Sequence, residues 1–201
     1  MRTSQLREFV RAPGRPLWAR FVALVVSAAL GALLAAPLAA QQPKATEFQV
    51  KAAYLYNFGK FVEWPGGADS SRSFEICVLG ADPFGPALDA TLAMQSIGGK
   101  AVAAKRISKP EDIDSCRILF ISSSEEGHLK QVLSALDKTS VLTVSDIPRF
   151  SERGGMIGFV LQGDRVRFDV NLASAEDAHL VLSSELLKVA SNVRKDEPGA
   201  F

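Results

Sequence analysis

Two short apolar runs constrain this chain most: Phe74–Gly80 (FEICVLG) and Cys116–Ser122 (CRILFIS). Neither alternates apolar with polar residues, so each reads as a strand buried on both faces, as in a parallel sheet. Helix-like segments follow both. Asp82-Pro83 predicts an N-cap and first helical residue for a helix through Phe84, Leu88 and Leu92. Ser123 or Ser124 is expected to cap a helix carrying Leu129, Val132, Leu133 and Leu136, with Glu125 and Glu126 at its positive end. Ala101–Ile107 reads as a weaker edge strand and Val141–Val144 as a further one. Met156–Leu161 and Arg165–Val170 flank the hairpin signal Gln162-Gly163-Asp164. A single helix is predicted over 174–190, and the tail from Asn192 to Phe201 reads as frayed. The fold class is therefore α/β, a three-layer α/β/α sandwich with a mainly parallel sheet and an antiparallel C-terminal hairpin.

Upstream of the first strand lies Lys51–Pro65, KAAYLYNFGKFVEWP. At helical spacing Phe48, Ala52, Leu55, Phe58 and Val62 share one face, with Tyr54 and Phe61 beside it. That breadth predicts a helix wrapped on most sides, with Asn57 buried in its middle and Pro65 closing it.

The first forty residues carry Arg2, Arg7, Arg11, Arg15 and Arg20, an apolar run over 21–36, and small residues up to Ala40. This reads as a secretory signal cleaved near Ala40, with residues 41–201 as a single periplasmic domain (core about 47–191). Removing five arginines and Glu8 from 23 basic and 22 acidic residues leaves 18 against 21, a net charge of −3. That balance gives no electrostatic footprint for nucleic acid. Cys77 and Cys116 sit in an oxidising compartment on strands expected to be neighbours. A disulfide is the leading reading, with two buried free thiols as the alternative.

No catalytic constellation is evident. Ser122-Ser123-Ser124 lacks a nucleophile elbow, and Gly80–Gly85 lacks the Gly-Lys-Ser/Thr of a phosphate loop. His128 and His179 have no metal-ligand spacing. No cofactor and no metal are expected. The carboxyl ends of the strands supply Asp82, Ser122 and Asp146 as candidates for a small-ligand pocket. On the hairpin, Arg167, Asp169 and Asn171 are candidates for binding a protein partner.

The string KAAYLYNFGKFVEWP resembles the hallmark of the YfiR family of bacterial periplasmic proteins. ICVLGADPFG, CRILFIS, VLTVSD, RF with GGMIGFV after it, RVRFDVNLASA and LSSELLKVA follow in the family's order over roughly 47–191. The resemblance implies a regulator rather than an enzyme, often a homodimer. It further implies binding to, and repression of, an inner-membrane diguanylate cyclase or sensor kinase through its periplasmic domain. Cyclic di-GMP and biofilm formation would fall as a result, and an outer-membrane lipoprotein would be a possible second partner. Cys77 and Cys116 match a cysteine pair of the family. Its known member has a second disulfide near the C-terminal hairpin, where this chain has no cysteine. The alternative function is a periplasmic small-molecule-binding sensor domain working with a membrane histidine kinase or cyclase.

Overall fold

Helix α1 (Glu47–Phe61) begins where the chain can satisfy its first amides. The Thr46 hydroxyl accepts from the Gln49 amide at 3.3 Å, and the Gln49 side chain accepts from the Thr46 amide at 2.8 Å, a reciprocal capping box. Ala52, Leu55 and Phe58 are wholly buried, and Phe58 stacks on Phe159 at 5.9 Å and meets Phe168 edge-on at 5.0 Å. The helix is covered on one side, not on most. Asn57 is exposed, so the expectation of a buried carboxamide is corrected. Its outward direction follows from the helical repeat, which sets Leu55 and Phe58 inward and leaves residue 57 between them.

The computed structural model describes residues 45–66 and 72–195. The expected signal peptide and the end of the tail lie outside them. After α1 come β1 (Val62–Glu63), β2 (Ser73–Leu79), α2 (Pro86–Leu92), β3 (Ser96–Ile97) and β4 (Lys100–Ile107). Next are β5 (Cys116–Ile121), a 3-10 turn (Ser123–His128), α3 (Leu129–Ala135) and β6 (Leu142–Ser145). Besides a short 3-10 turn at Pro110–Asp112 before β5, a third one (Phe150–Arg153) leads to β7 (Ile157–Gln162) and β8 (Arg165–Asn171). The chain closes with α4 (Leu172–Asp177), β9 (Val181–Leu182), α5 (Ser184–Val189) and β10 (Asn192–Arg194).

Eight strands form one sheet in the order β10-β8-β7-β6-β5-β2-β4-β3. The pairs β2–β4, β2–β5, β5–β6, β6–β7 and β8–β10 are parallel; β3–β4 and the hairpin β7–β8 are antiparallel. Alternate residues feed two cores. Phe74, Ile76, Val78, Ile118 and Phe120 face α1, α2, α4 and α5. Cys77, Leu79, Leu119 and Ile121 face α3 and the Phe150 turn. The layered α/β class is as the sequence predicts.

Three local expectations are corrected. The helix after β2 starts at Pro86 behind Gly85 (φ 52°), while Asp82 accepts from the Phe84 amide at 2.8 Å and so caps a turn. The segment 174–190 is two short helices broken at His179, whose φ of 59° is left-handed, with β9 between them. Asn192–Arg194 is not frayed; it lies parallel to β8, Asn192 opposite Asp169.

Two close approaches hold the thinner layer. A disulfide joins Cys77 to Cys116 across β2 and β5, Cα–Cα 5.8 Å. The Phe150 ring lies against the backbone of Gly155, where an added Cβ would stand inside the ring's contact distance. The Cys77→Ser variant should lose about 4 kcal/mol in the chain-entropy account of a loop this long. The check is chemical denaturation without reductant. Its midpoint should fall to that of reduced wild type, and reductant should not lower it further.

Candidate functional site

With β2, β4, β5, β6 and β7 counted as first to fifth, the parallel core runs 2-1-3-4-5. Its direction reverses between β2 and β5, which is where ligands bind in doubly wound sheets. Here the chain fills that crevice itself. The Ala81 amide donates to Ser124 Oγ at 3.0 Å, Ser124 Oγ donates to Glu125 Oε1 at 3.2 Å, and the Ser122 amide donates to the Leu79 carbonyl at 3.0 Å. Gly80 is left-handed (φ 87°), and a Cβ there would collide with Ser124 and Glu125. Ser122 is buried, its hydroxyl accepting from the Ser124 amide.

Asp82 lies to one side of this plug and is held by Arg106. The guanidinium donates to Asp82 Oδ2 (3.0 Å), to both oxygens of Asp89 (2.8 and 2.6 Å) and to the Gly85 carbonyl (3.0 Å). That bidentate bond, with the Arg106 charge, holds the Asp89 carboxyl below its ordinary value, and the same carboxylates push Arg106 up. The cluster fastens the end of β4 to the loop before α2.

Asp146, past the end of β6, meets a residue that sequence reasoning missed. Lys51 is 2% exposed; its ammonium donates to Asp146 Oδ2 at 2.7 Å and pairs with Glu47 Oε1 at 2.5 Å. It lies 4.8 Å from the Phe48 ring centroid and 5.9 Å from that of Phe159. Asp146 Oδ1 is buried without a hydrogen-bond partner among the described residues. The signal was present, because positions 48, 51, 55 and 58 form one helical stripe and the lysine falls on it. The structure thus gives Asp82, Ser122 and Asp146 three separate sets of internal partners; Ser122 and Asp146 follow the paired Ile121 and Ser145 at adjoining strand ends, while Asp82 turns to Arg106.

On the hairpin, Val166, Phe168 and Val170 point to the larger core, while Arg167 and Asp169 take the opposite side and are half-buried. Asn171 is different. It is 0% exposed, its Nδ2 donates to the Ser151 carbonyl at 3.0 Å, and its Oδ1 accepts from the Ser174 amide as the N-cap of α4. The expectation that Asn171 binds a partner is corrected, since its amide is spent inside. Burial pushes the Asp169 carboxyl up, and the nearby Glu152 charge adds to the shift.

Among the described residues no helix is long and apolar enough to cross a membrane. The arrangement is a layered α/β domain whose usual ligand crevice is closed by its own side chains. A family profile described as YfiR/HmsC-like matches residues 48–191, so the chain belongs to the YfiR/HmsC-like family. That family is one of periplasmic regulators that work with a membrane signalling protein. Among solved structures the chain is similar to an ABC domain from Streptococcus pneumonia crystallised with L-Trp. The identity is 10% and the TM-score 0.49, over 71% of this chain and 60% of that one.

Two outcomes are expected. Lys51→Met leaves the half-buried Asp146 carboxylate without its cation and should cost about 3 kcal/mol, the low end for a broken buried pair, most of it recovered in Lys51→Met/Asp146→Leu; denaturant titration of both variants measures this. A carboxyl raised in the folded state binds its proton more tightly there, so Asp169 lowers stability as pH rises through the raised value. Asp169→Asn should therefore raise the thermal midpoint at pH 7, and the gain should vanish as pH falls below the ordinary value of 3.8.

Proposed function

We propose that this protein binds the periplasmic part of an inner-membrane diguanylate cyclase and represses it, so lowering cyclic di-GMP and biofilm formation. The observation that carries the reading is the family match, which runs unbroken from α1 to the residue before β10. The self-filled crevice between β2 and β5 supports a regulator that acts through its surface. It weighs against the alternative, a small-molecule sensor using Asp82, Ser122 and Asp146. Arg167 and Asp169 lie on the surface such a partner would meet. A homodimer and an outer-membrane lipoprotein that sequesters the regulator complete the proposed cycle.

Deleting the gene in its host should raise cyclic di-GMP and surface matrix, with both restored by the wild-type gene supplied in trans. Mass-spectrometric quantification of the nucleotide decides it: levels unchanged on deletion overturn the reading.

A further inference from the structure

The outer edge of β8 is covered over only half its length. β10 pairs with Asp169, Val170 and Asn171, and the Ser191 amide donates to the Phe168 carbonyl at 2.8 Å, leaving Arg165 to Arg167 without a neighbour on that side among the described residues. The uncovered half lines an open cleft of about 650 Å³, with Val50 of α1 on one wall and Leu161, 57% exposed, on the other. An unpaired strand edge offers backbone donors and acceptors to any extended segment laid along it.

The charge in this cleft is uneven. Of its two acids, Glu47 is paired with Lys51 and Asp164 also has a partner. Neither the Arg165 nor the Arg167 guanidinium has an ion-pair or hydrogen-bond partner among the described residues. Alternate residues of a strand stand about 6.7 Å apart on one face, so two arginines at positions i and i+2 match two carboxylates at i and i+2 of an added strand. A single phosphate could not span them.

We propose that this half-open edge takes an extended acidic segment of a partner protein, with carboxylates at alternate positions and one apolar side chain between α1 and Leu161. Backbone pairing with Val166 supplies the register, and Arg165 and Arg167 supply the selection for acids. The chain's own lead-in, Gln41-Gln42-Pro43-Lys44, carries no acid and does not meet this requirement. The inference rests on the proposed function only for the source of the segment, a membrane signalling protein.

The probe is a capped pentapeptide of alternating glutamate and leucine, titrated into the purified protein and followed by fluorescence anisotropy and amide NMR. Binding should weaken with salt and perturb the Leu161 and Val166–Phe168 amides. It should fall at least tenfold when the peptide's glutamates become glutamines, and likewise in Arg165→Gln/Arg167→Gln, whose fold is checked by its melting curve. Leu161→Ser, at an exposed position, gives a second variant that should also weaken it. Equal binding of the neutral peptide, undiminished binding by the folded variants, or perturbation confined to another face overturns the proposal. So does any of three other occupants. These are a dimer in sedimentation that Leu161→Ser dissociates, arginine-dependent pelleting with phosphatidylglycerol vesicles, or peptide affinity that rises when the tail is neutralised as Asp196→Asn/Glu197→Gln. Peptide binding with unchanged cyclic di-GMP on deletion would leave the surface standing and remove the cyclase; the converse would do the reverse.

Discussion

Strands β2 and β5 send apolar side chains to both faces of the sheet, and neither face can be left in water. Burying Ile76, Val78, Ile118 and Phe120 needs one layer; burying Leu79, Leu119 and Ile121 needs a second. At about 25 cal/mol per Å² of apolar surface, leaving either face bare would cost more than a domain's whole margin of stability. The two layers are unequal. Four helices cover one face, and a seven-residue helix with Ile113, Ile147 and Phe150 from the loops covers the other. The disulfide lies in the thinner layer, where packing alone has least to offer.

Away from that centre the two-faced rule lapses. On β7 and β8 Ile157, Phe159, Val166, Phe168 and Val170 need cover on one face, and α1 with its aromatic cluster supplies much of it. The opposite side of the hairpin carries the half-buried Arg167 and Asp169, and the Phe150 turn packs there on Gly158 and accepts from Asn171. A strand buried on one face is free to use the other for recognition. The central strands have no such freedom, and their ends are closed by Ser124 and Glu125 in place of a ligand.

Much of this was legible in the residues. Continuous apolar runs gave β2 and β5, and Gln162-Gly163-Asp164 gave the hairpin, because burial on two faces or one leaves its own spacing in the chain. What was missed was decided by tertiary contact. Asp82-Pro83 has the composition of a helix start, but its carboxylate is shared with Arg106, and the helix waits until Pro86. Nothing in Leu180 or Val181 announces that the chain turns left-handed at His179 to pair with β1. Three residues of β10 carry no period to detect. Lys51 reads as a solvated cation until Glu47 and Asp146 are seen around it. The hairpin acids and bases were placed on the right strand, while Asn171, one step further along, turned inward to cap α4.

The small ribbon of β1 and β9 joins Val62 to Leu182 and Glu63 to Val181. It ties the exit of the first helix to a segment almost at the other end of the polypeptide. Whatever the order in which the sheet assembles, this ribbon closes only when residues 62–63 and 181–182 are both available, so it is among the last contacts the polypeptide can complete.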